Sequence, residues 1–288
     1  MQRVKRWQSP ARRFACNDAR VASWCVRVPA SSANLGPAFD ALGLALSMHL
    51  EVTPGGGAAS ETHPAVRAFR HAGGTGPLSA HATFPGGRGL GFSGAARVAG
   101  LLAAARQQGT SAAAARAYVL REGAALEGHA DNVAASLLGG LVATSGGRAT
   151  RVPLGVDGVV VVWVPDRETP TRAARRVLPD HVSFDDAVFN IGRTALLVAA
   201  LASGDTEALR VASEDRLHQD ARLARVPETR TALSAALRAG AWSAWLSGSG
   251  PSAAALVPRS HAEAVAAAMP RSGRAMVVDI DETGAVTE

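Results

Sequence analysis

Lysine is almost missing from this chain. Among 288 residues it occurs once, at Lys5, although arginine is plentiful and the formal net charge is +6. That absence excludes two large groups of phosphate-handling enzymes. A P-loop NTPase needs a lysine against its phosphates, and a protein kinase needs one on its third strand. Cysteine is nearly as scarce. Cys16 and Cys25 are the whole set, with no Cys-x-x-Cys pair and no His/Cys cluster. Neither a disulfide framework nor a zinc site is expected, and a reducing, cytoplasmic location fits. Aromatic residues make up 5% and do not interleave with basic residues, as a base-stacking surface requires. The arginines are spread along the chain, so no nucleic-acid partner is expected; an anionic substrate such as a nucleotide is a second use for the charge. The first twenty-odd residues lack the apolar run of a signal peptide. The uncharged stretch 239–258 is interrupted by Gly248-Ser-Gly-Pro-Ser252, which makes it a poor membrane helix, and no membrane partner is expected.

What is present is apolar and small. Residues of the apolar class make up 47%, enough for a sizeable core packed mainly by Ala, Val and Leu. Residues 1–23 are basic and aperiodic and read as a disordered or misassigned extension. A short β-rich run, Trp24–Val28, precedes a loop from Pro29 to Gly36, and Phe39 to Val52 returns as a strand. Ala65–His71 reads as a helix and Ala80–Phe84 as a strand. Helices are expected over 93–108, 111–127 (ending at Gly128) and 131–138 (ending at Gly139-Gly140). Val159–Val164 is a β-branched run suited to a buried strand. Further helices are expected over 185–202, 206–217, 229–239 and 260–269, with a strand–turn pattern over 245–256 and a closing strand over 275–280. Strands and helices alternate without a strict βαβ period, which favours an α+β fold.

The most informative segment is Pro85-Gly-Gly-Arg-Gly-Leu-Gly-Phe-Ser-Gly-Ala-Ala96. A glycine-rich turn runs directly into a helix, and free N–H groups at a helix start attract anions. Ser93 can cap that helix or hold a metal-bound phosphate, and Arg88 can add charge. Gly89, Gly91 and Gly94 also match the dinucleotide pattern GxGxxG. That reading needs an acidic residue about 20 positions on, and none occurs between Gly91 and Arg121. Gly91-Phe-Ser-Gly-Ala95 ends in Ala and so is not a nucleophile elbow.

The loop Pro-x-x-x-Gly-Leu-Gly-x-Ser resembles the phosphate-binding motif of the GHMP kinases. Four further segments extend the resemblance, the first three to homoserine kinases in particular and the last to the third GHMP motif. They are Val26–Asp40 continuing to Leu46, Glu127–Val133 with Leu137–Gly140, Thr171–Pro179 with Phe189–Arg193, and Leu246–Ser252. The resemblance spans about residues 25–280. It implies a GHMP kinase fold, with an N-terminal ATP-binding domain (24–155) like the second domain of ribosomal protein S5 and a ferredoxin-like C-terminal domain (156–288). It implies ATP and Mg²⁺ as cofactors, L-homoserine as the substrate and a possible homodimer. The ATP and phosphate contacts would come from Pro85, Gly86, Gly87, Arg88, Gly89, Leu90, Gly91, Phe92, Ser93, Gly94 and Ala95.

The resemblance also assigns roles residue by residue. Ser93 and Glu127 would hold the metal, since Mg²⁺ takes hard oxygen ligands. Asn34, Asp40, Asp131, Arg222 and Gly248 would bind the amino acid, with Asp40 and Asp131 facing its ammonium and Arg222 its carboxylate. Asn132, with Ser93, would act on the phosphoryl group. Read without the family, Asn34 and Asp40 suit turns and Asp131 a helix N-cap. His129 reads as structural, and Arg175 and Arg193 as weaker carboxylate partners. The chain departs from the pattern at Phe92, where Ser is usual, at Gly94, where Ala is usual, and at Ala38, where Gly is usual. These departures leave open a GHMP kinase for another alcohol, or a silent paralogue.

Overall fold

The computed structural model of the chain describes residues 23–166 and 174–288. The basic extension up to Ala22 and the segment Thr171–Ala173 lie outside the described residues. The first half runs β1 (Val26–Ala33), β2 (Leu42–Pro54), α1 (Pro64–His71), β3 (Leu78–Ala82), α2 (Phe92–Gln107), α3 (Ala112–Glu127), α4 (Asp131–Leu138), β4 (Leu141–Ser145) and β5 (Arg148–Val152). The second runs β6 (Gly158–Pro165), α5 (Phe184–Ser203), α6 (Leu209–Ala212), α7 (Gln219–Leu223), α8 (Pro227–Arg238), β7 (Ser243–Leu246), β8 (Ala253–Pro258), α9 (Ala262–Ala268), β9 (Gly273–Val278) and β10 (Val286–Thr287). Two antiparallel sheets result. One has the order β10-β1-β2-β4-β5 with β3 added beside β2, and the other has the order β7-β8-β6-β9.

The Ala-rich composition has its use in α2. Eleven of its residues are buried, because α1, α3, α4 and β1 surround it. A helix that is apolar all round belongs inside, and small side chains let its neighbours close in. A Cβ on Gly100 would lie 2.1 Å from the carbonyl oxygen of Ala65. One hydrophobic core joins this layer to the second sheet, taking in Leu46, Leu101 and Val133 together with Val160, Trp245 and Met276. A second core lies between the second sheet and helices α8 and α9, around Trp163, Ala236 and Val265.

Three local expectations need correction. β1 does not stop at Val28 but continues to Ala33, through a register shift between Pro29 and Ala30. The irregularity is where a proline, which has no N–H to give, is tolerated in a strand. Residues 206–217 form only the single turn α6. The hairpin β4–β5, turning at Gly146-Gly147 with both φ angles positive (55° and 78°), was not anticipated, although a Gly-Gly pair between short strands is its signal. Cys25, the only cysteine among the described residues, is disulfide-bonded, which the sequence reading did not expect. By length and composition α5 is the one helix among the described residues apolar enough to cross a membrane. One side of it packs on the core through Leu197, Ala200 and Leu201, while Phe184, Val188 and Ile191 are exposed.

Candidate active site

Both halves of the chain contribute to one open cleft. Its walls come from the end of β1, the glycine loop and start of α2, the end of α3, the start of α4, α7 and the turn between β7 and β8. Asn34, Asp40, Ser93, Glu127, Asp131, Asn132, Arg222 and Gly248, scattered over more than 200 positions, all line it.

The glycine loop meets the cleft through Gly87, Gly89, Leu90, Gly91, Phe92 and Ser93. Helix α2 starts at Phe92 behind Gly91 in the left-handed region (φ 66°), with no side-chain cap and no acidic residue in its first turn. Its first N–H groups and positive dipole end therefore have no anionic partner of the helix's own. Gly89 and Gly91 are fixed by close approach as well as by φ. A Cβ on Gly91 would sit 2.0 Å from Ser31 Oγ, and one on Gly89 would sit 2.2 Å from the carbonyl oxygen of Ser247. The rest of the loop turns elsewhere. Gly86 lies under the Phe92 ring and Gly94 lies against Asn132. Pro85 is exposed and Ala95 is buried. Arg88 donates to the carbonyl of Pro165 across in the second half. The unusual Phe92 has its own niche, its ring edge-on to Phe84 (5.9 Å) and His63 (5.7 Å).

Ser93 and Glu127, the expected metal ligands, are brought together, but a third residue joins them. Arg97, one helical turn beyond Ser93, donates to Ser93 Oγ and pairs with the Glu127 carboxylate. Burial, and secondarily the charge of Arg67, pull its pKa below the ordinary value. The two oxygens are of the kind a hard cation takes. Glu127 Oε2 is buried and makes no hydrogen bond, so the pair has the donor chemistry to fit a divalent cation beside the phosphate loop.

The opposite wall carries charge of both signs. Asn34, Leu35 and Asp40 all have positive φ (74°, 48° and 56°), a conformation costly for non-glycine residues. Crosslinks hold it: Asn34 Oδ1 accepts the Asp40 N–H (3.0 Å) and Asn34 Nδ2 donates to the Gly248 carbonyl (3.0 Å). Asn190 and His218 donate to the carbonyls of Pro37 and Gly36 (2.9 and 2.7 Å). Asp40 receives both its oxygens' bonds from Arg175 Nη2 (2.8 and 2.9 Å). Asp131, the first residue of α4, accepts from the Asn132 N–H (2.7 Å) and pairs with His129 Nδ1 (2.6 Å). Asp40, His129 and Asp131 each bring one ligand atom within 4.8 Å of the others. Asn132 Oδ1 accepts from Ser31 Oγ (2.9 Å).

Arg222 is buried and donates through Nε to Ala174 and through Nη1 to Gly248 (both 3.2 Å). Phe39 lies between the guanidinium groups of Arg175 and Arg222, at 5.3 and 5.1 Å. Burial first, and then the nearby Arg175, lower the Arg222 pKa to about 10, against the opposing pull of Asp40. It remains cationic at neutral pH.

The positions given less weight from sequence separate in the structure. Arg175 belongs to the cleft, and so does His129, which sits 3.8 Å from Glu127 as well as touching Asp131. Arg193 does not: it pairs with Glu214 and stacks on Phe189. Arg97 was missed, and its only signal was the four-residue spacing from Ser93. Phe39 and Asn190 support the wall from within the segments Val26–Asp40 and Phe189–Arg193, whereas His218 supports it with no motif to single it out.

Residues 197–275 match the family described as GHMP kinases C terminal. A homoserine kinase of Thermus thermophilus is 41% identical over 280 residues, covering 88% of this chain and 95% of that protein. One of Gloeobacter violaceus is 41% identical over 275 residues, covering 85% and 91%. Among solved structures, homoserine kinase from Cytophaga hutchinsonii superposes with a TM-score of 0.79 at 25% identity, over 92% of this chain and 96% of that one. With identity at this level sustained along nearly the whole length, and the GHMP kinase fold beneath it, the chain belongs to the homoserine kinase family.

Proposed function

We propose that this protein transfers the γ-phosphoryl group of ATP to the side-chain hydroxyl of L-homoserine, giving O-phospho-L-homoserine for threonine biosynthesis. The observation that carries this reading is the meeting, in one cleft, of an uncapped helix start behind a glycine loop with a wall of paired charges. The first suits the nucleotide's phosphates. The second suits a zwitterion. Asp40 and Asp131 receive the ammonium, while Arg175 and Arg222 offer guanidinium donors to the carboxylate.

Phosphoryl transfer depends more on positioning and charge neutralisation than on covalent chemistry. In this reading the α2 amides and the backbone of Gly87 to Gly91 hold the phosphates in line with the acceptor hydroxyl. Ser31 fixes the Oδ1 end of Asn132, so the Nδ2 end is the donor left for the phosphoryl oxygens. Asn34 acts as a positioning residue, tying the Asp40 turn to the Gly248 turn. Ser93 and Glu127 would hold Mg²⁺ through hard oxygen donors, and the ion would neutralise phosphate charge when bound.

The test is ADP release by the purified protein with Mg²⁺-ATP, with and without L-homoserine, beside a panel of other small alcohols. Release that requires homoserine, with O-phosphohomoserine as product, is expected. Release with a different alcohol and none with homoserine would overturn the substrate. ATP binding without release for any of them would overturn the activity.

A further inference from the structure

Two arginines of like charge, Arg175 and Arg222, line the same cleft. Arg175 is near enough to oppose the charge on Arg222, an effect second only to burial, so keeping them together needs a compensating attraction. Asp40 supplies part of it, accepting from Arg175 Nη2 through both oxygens. Arg222 is buried. Its Nε bonds Ala174, and its Nη1 meets Gly248 and His218, so among the described residues its Nη2 has no hydrogen-bond partner. One ring serves both groups. The Phe39 centroid lies 5.3 Å from the Arg175 guanidinium carbon and 5.1 Å from that of Arg222. A cation within about 6 Å of an aromatic face is attracted by it, and more strongly where water is excluded. The ring is held in turn against the His218 imidazole, at 5.1 Å and tilted by 37°, and that imidazole is tied to the Gly36 carbonyl. Phe39 has no polar group of its own to offer a ligand. A leucine would fill much of its space without attracting either cation.

We propose that Phe39 is a positioning residue that sets the cleft's preference for a free carboxylate. It acts through Arg175 and Arg222, holding two like charges side by side so that donors such as Arg222 Nη2 serve one carboxylate group. The selectivity that follows is for an amino acid over its own amide. The inference rests on the amino-acid reading of the cleft and goes further, naming the residue through which the substrate's carboxylate is told from a neutral group.

The experiment is calorimetric titration of the full chain with L-homoserine and with L-homoserine carboxamide, for the parent, Phe39→Leu and Phe39→Tyr. The parent is expected to bind L-homoserine tighter than the carboxamide by about tenfold or more. Phe39→Leu is expected to lose about tenfold for L-homoserine, the scale of a cation–π contact made out of water, and to bind the carboxamide as the parent does. Phe39→Tyr, which keeps the ring, should restore the parent's preference. In initial rates with Mg²⁺-ATP, Phe39→Leu should raise KM for homoserine by the same factor while kcat and KM for ATP stay within about twofold. A parental preference that survives Phe39→Leu, or a loss shared equally by both ligands, would overturn the inference alone. A parent that binds the two ligands alike would overturn the amino-acid reading, and the inference with it. If Phe39→Leu does not fold, Phe39→pentafluorophenylalanine decides: it keeps the ring's shape and inverts the charge of its face. The carboxylate preference should again fall, and an unchanged preference refutes the inference.

Discussion

His218 does its work from behind the cleft wall. Its Nε2 donates to the Gly36 carbonyl, which leaves Nδ1 as the acceptor facing Arg222 Nη1 at 3.3 Å. Burial lowers its pKa below the ordinary 6.5, outweighing the opposing pull of Asp215. The unfolded chain therefore binds a proton here that the folded chain refuses. Stability is full above pH 6.5 and falls as the pH drops below it, levelling once the folded pKa is passed. Urea unfolding from pH 8 to 5 should show this decline in the parent, and a much flatter profile in His218→Gln over the same interval. Equal slopes for both proteins would remove His218 as the cause. A second residue, Asp131, tests the cleft directly. Its carboxylate is one of three groups converging within 4.8 Å, and a hydrogen bond to a charged group is worth about 1.5–3 kcal/mol. Asp131→Asn keeps the shape and removes the charge, so KM for homoserine should rise by about 10- to 100-fold while KM for ATP changes little. An unchanged KM for homoserine would place the ammonium elsewhere.

The segment between α6 and α7 shows what an element-level reading can and cannot see. The composition of 206–217 favours a helix, and only Leu209–Ala212 forms one. Asp215 is the reason. Its fully buried side chain accepts from the N–H groups of Leu217, His218 and Gln219 and from Asn190 Nδ2, at 2.7–3.1 Å. A short acidic side chain that satisfies three amides at once outcompetes the helical ladder. Asp215→Ala would leave buried donors unmet, at a cost of about 3 kcal/mol or more, and would loosen Asn190 and His218 from the 36–40 turn. Denaturant unfolding should show that loss, and KM for homoserine should rise with it; a variant as stable as the parent would rule the network out. Long periodic elements such as α2, α3 and α5 were legible because periodicity, glycine stops and caps act within one stretch of chain. So were most cleft residues, because they sit in motifs. Arg97 and the Asp215 network were not, because their partners are chosen by packing between elements. β1 beyond Pro29 is the same case: Ser31 and Ser32 look like loop residues until Asn132 and Ser247 satisfy their hydroxyls.

At the scale of the molecule the question is whether two sheets make two folding units. Their strands divide at residues 152–158, apart from β10, which returns from the C-terminus to pair with β1. Burial does not divide there. Val160, Val162, Trp245, Leu256 and Met276 of the second sheet belong to the same core as Val28, Leu46 and Leu101. A buried polar chain crosses the same boundary: Trp245 Nε1 donates to Ser32 Oγ, Ser32 shares a hydrogen bond with Ser247 Oγ, and Ser247 donates to the Gly89 carbonyl. Exposing either sheet alone would uncover apolar side chains worth about 1.5–3 kcal/mol each and strand those hydroxyls. Half-unfolded states are thereby disfavoured, and the glycine loop is held by contacts that form only when both sheets are in place. Heating should therefore give one transition, with calorimetric and van't Hoff enthalpies in agreement and with far-ultraviolet dichroism and tryptophan fluorescence coincident. ADP at about a hundred times its Kd should move that whole transition, by about 2.7 kcal/mol of added stability. Two resolved transitions, with ADP shifting only one, would show that the shared core does not couple the halves and that the loop depends on the first sheet alone.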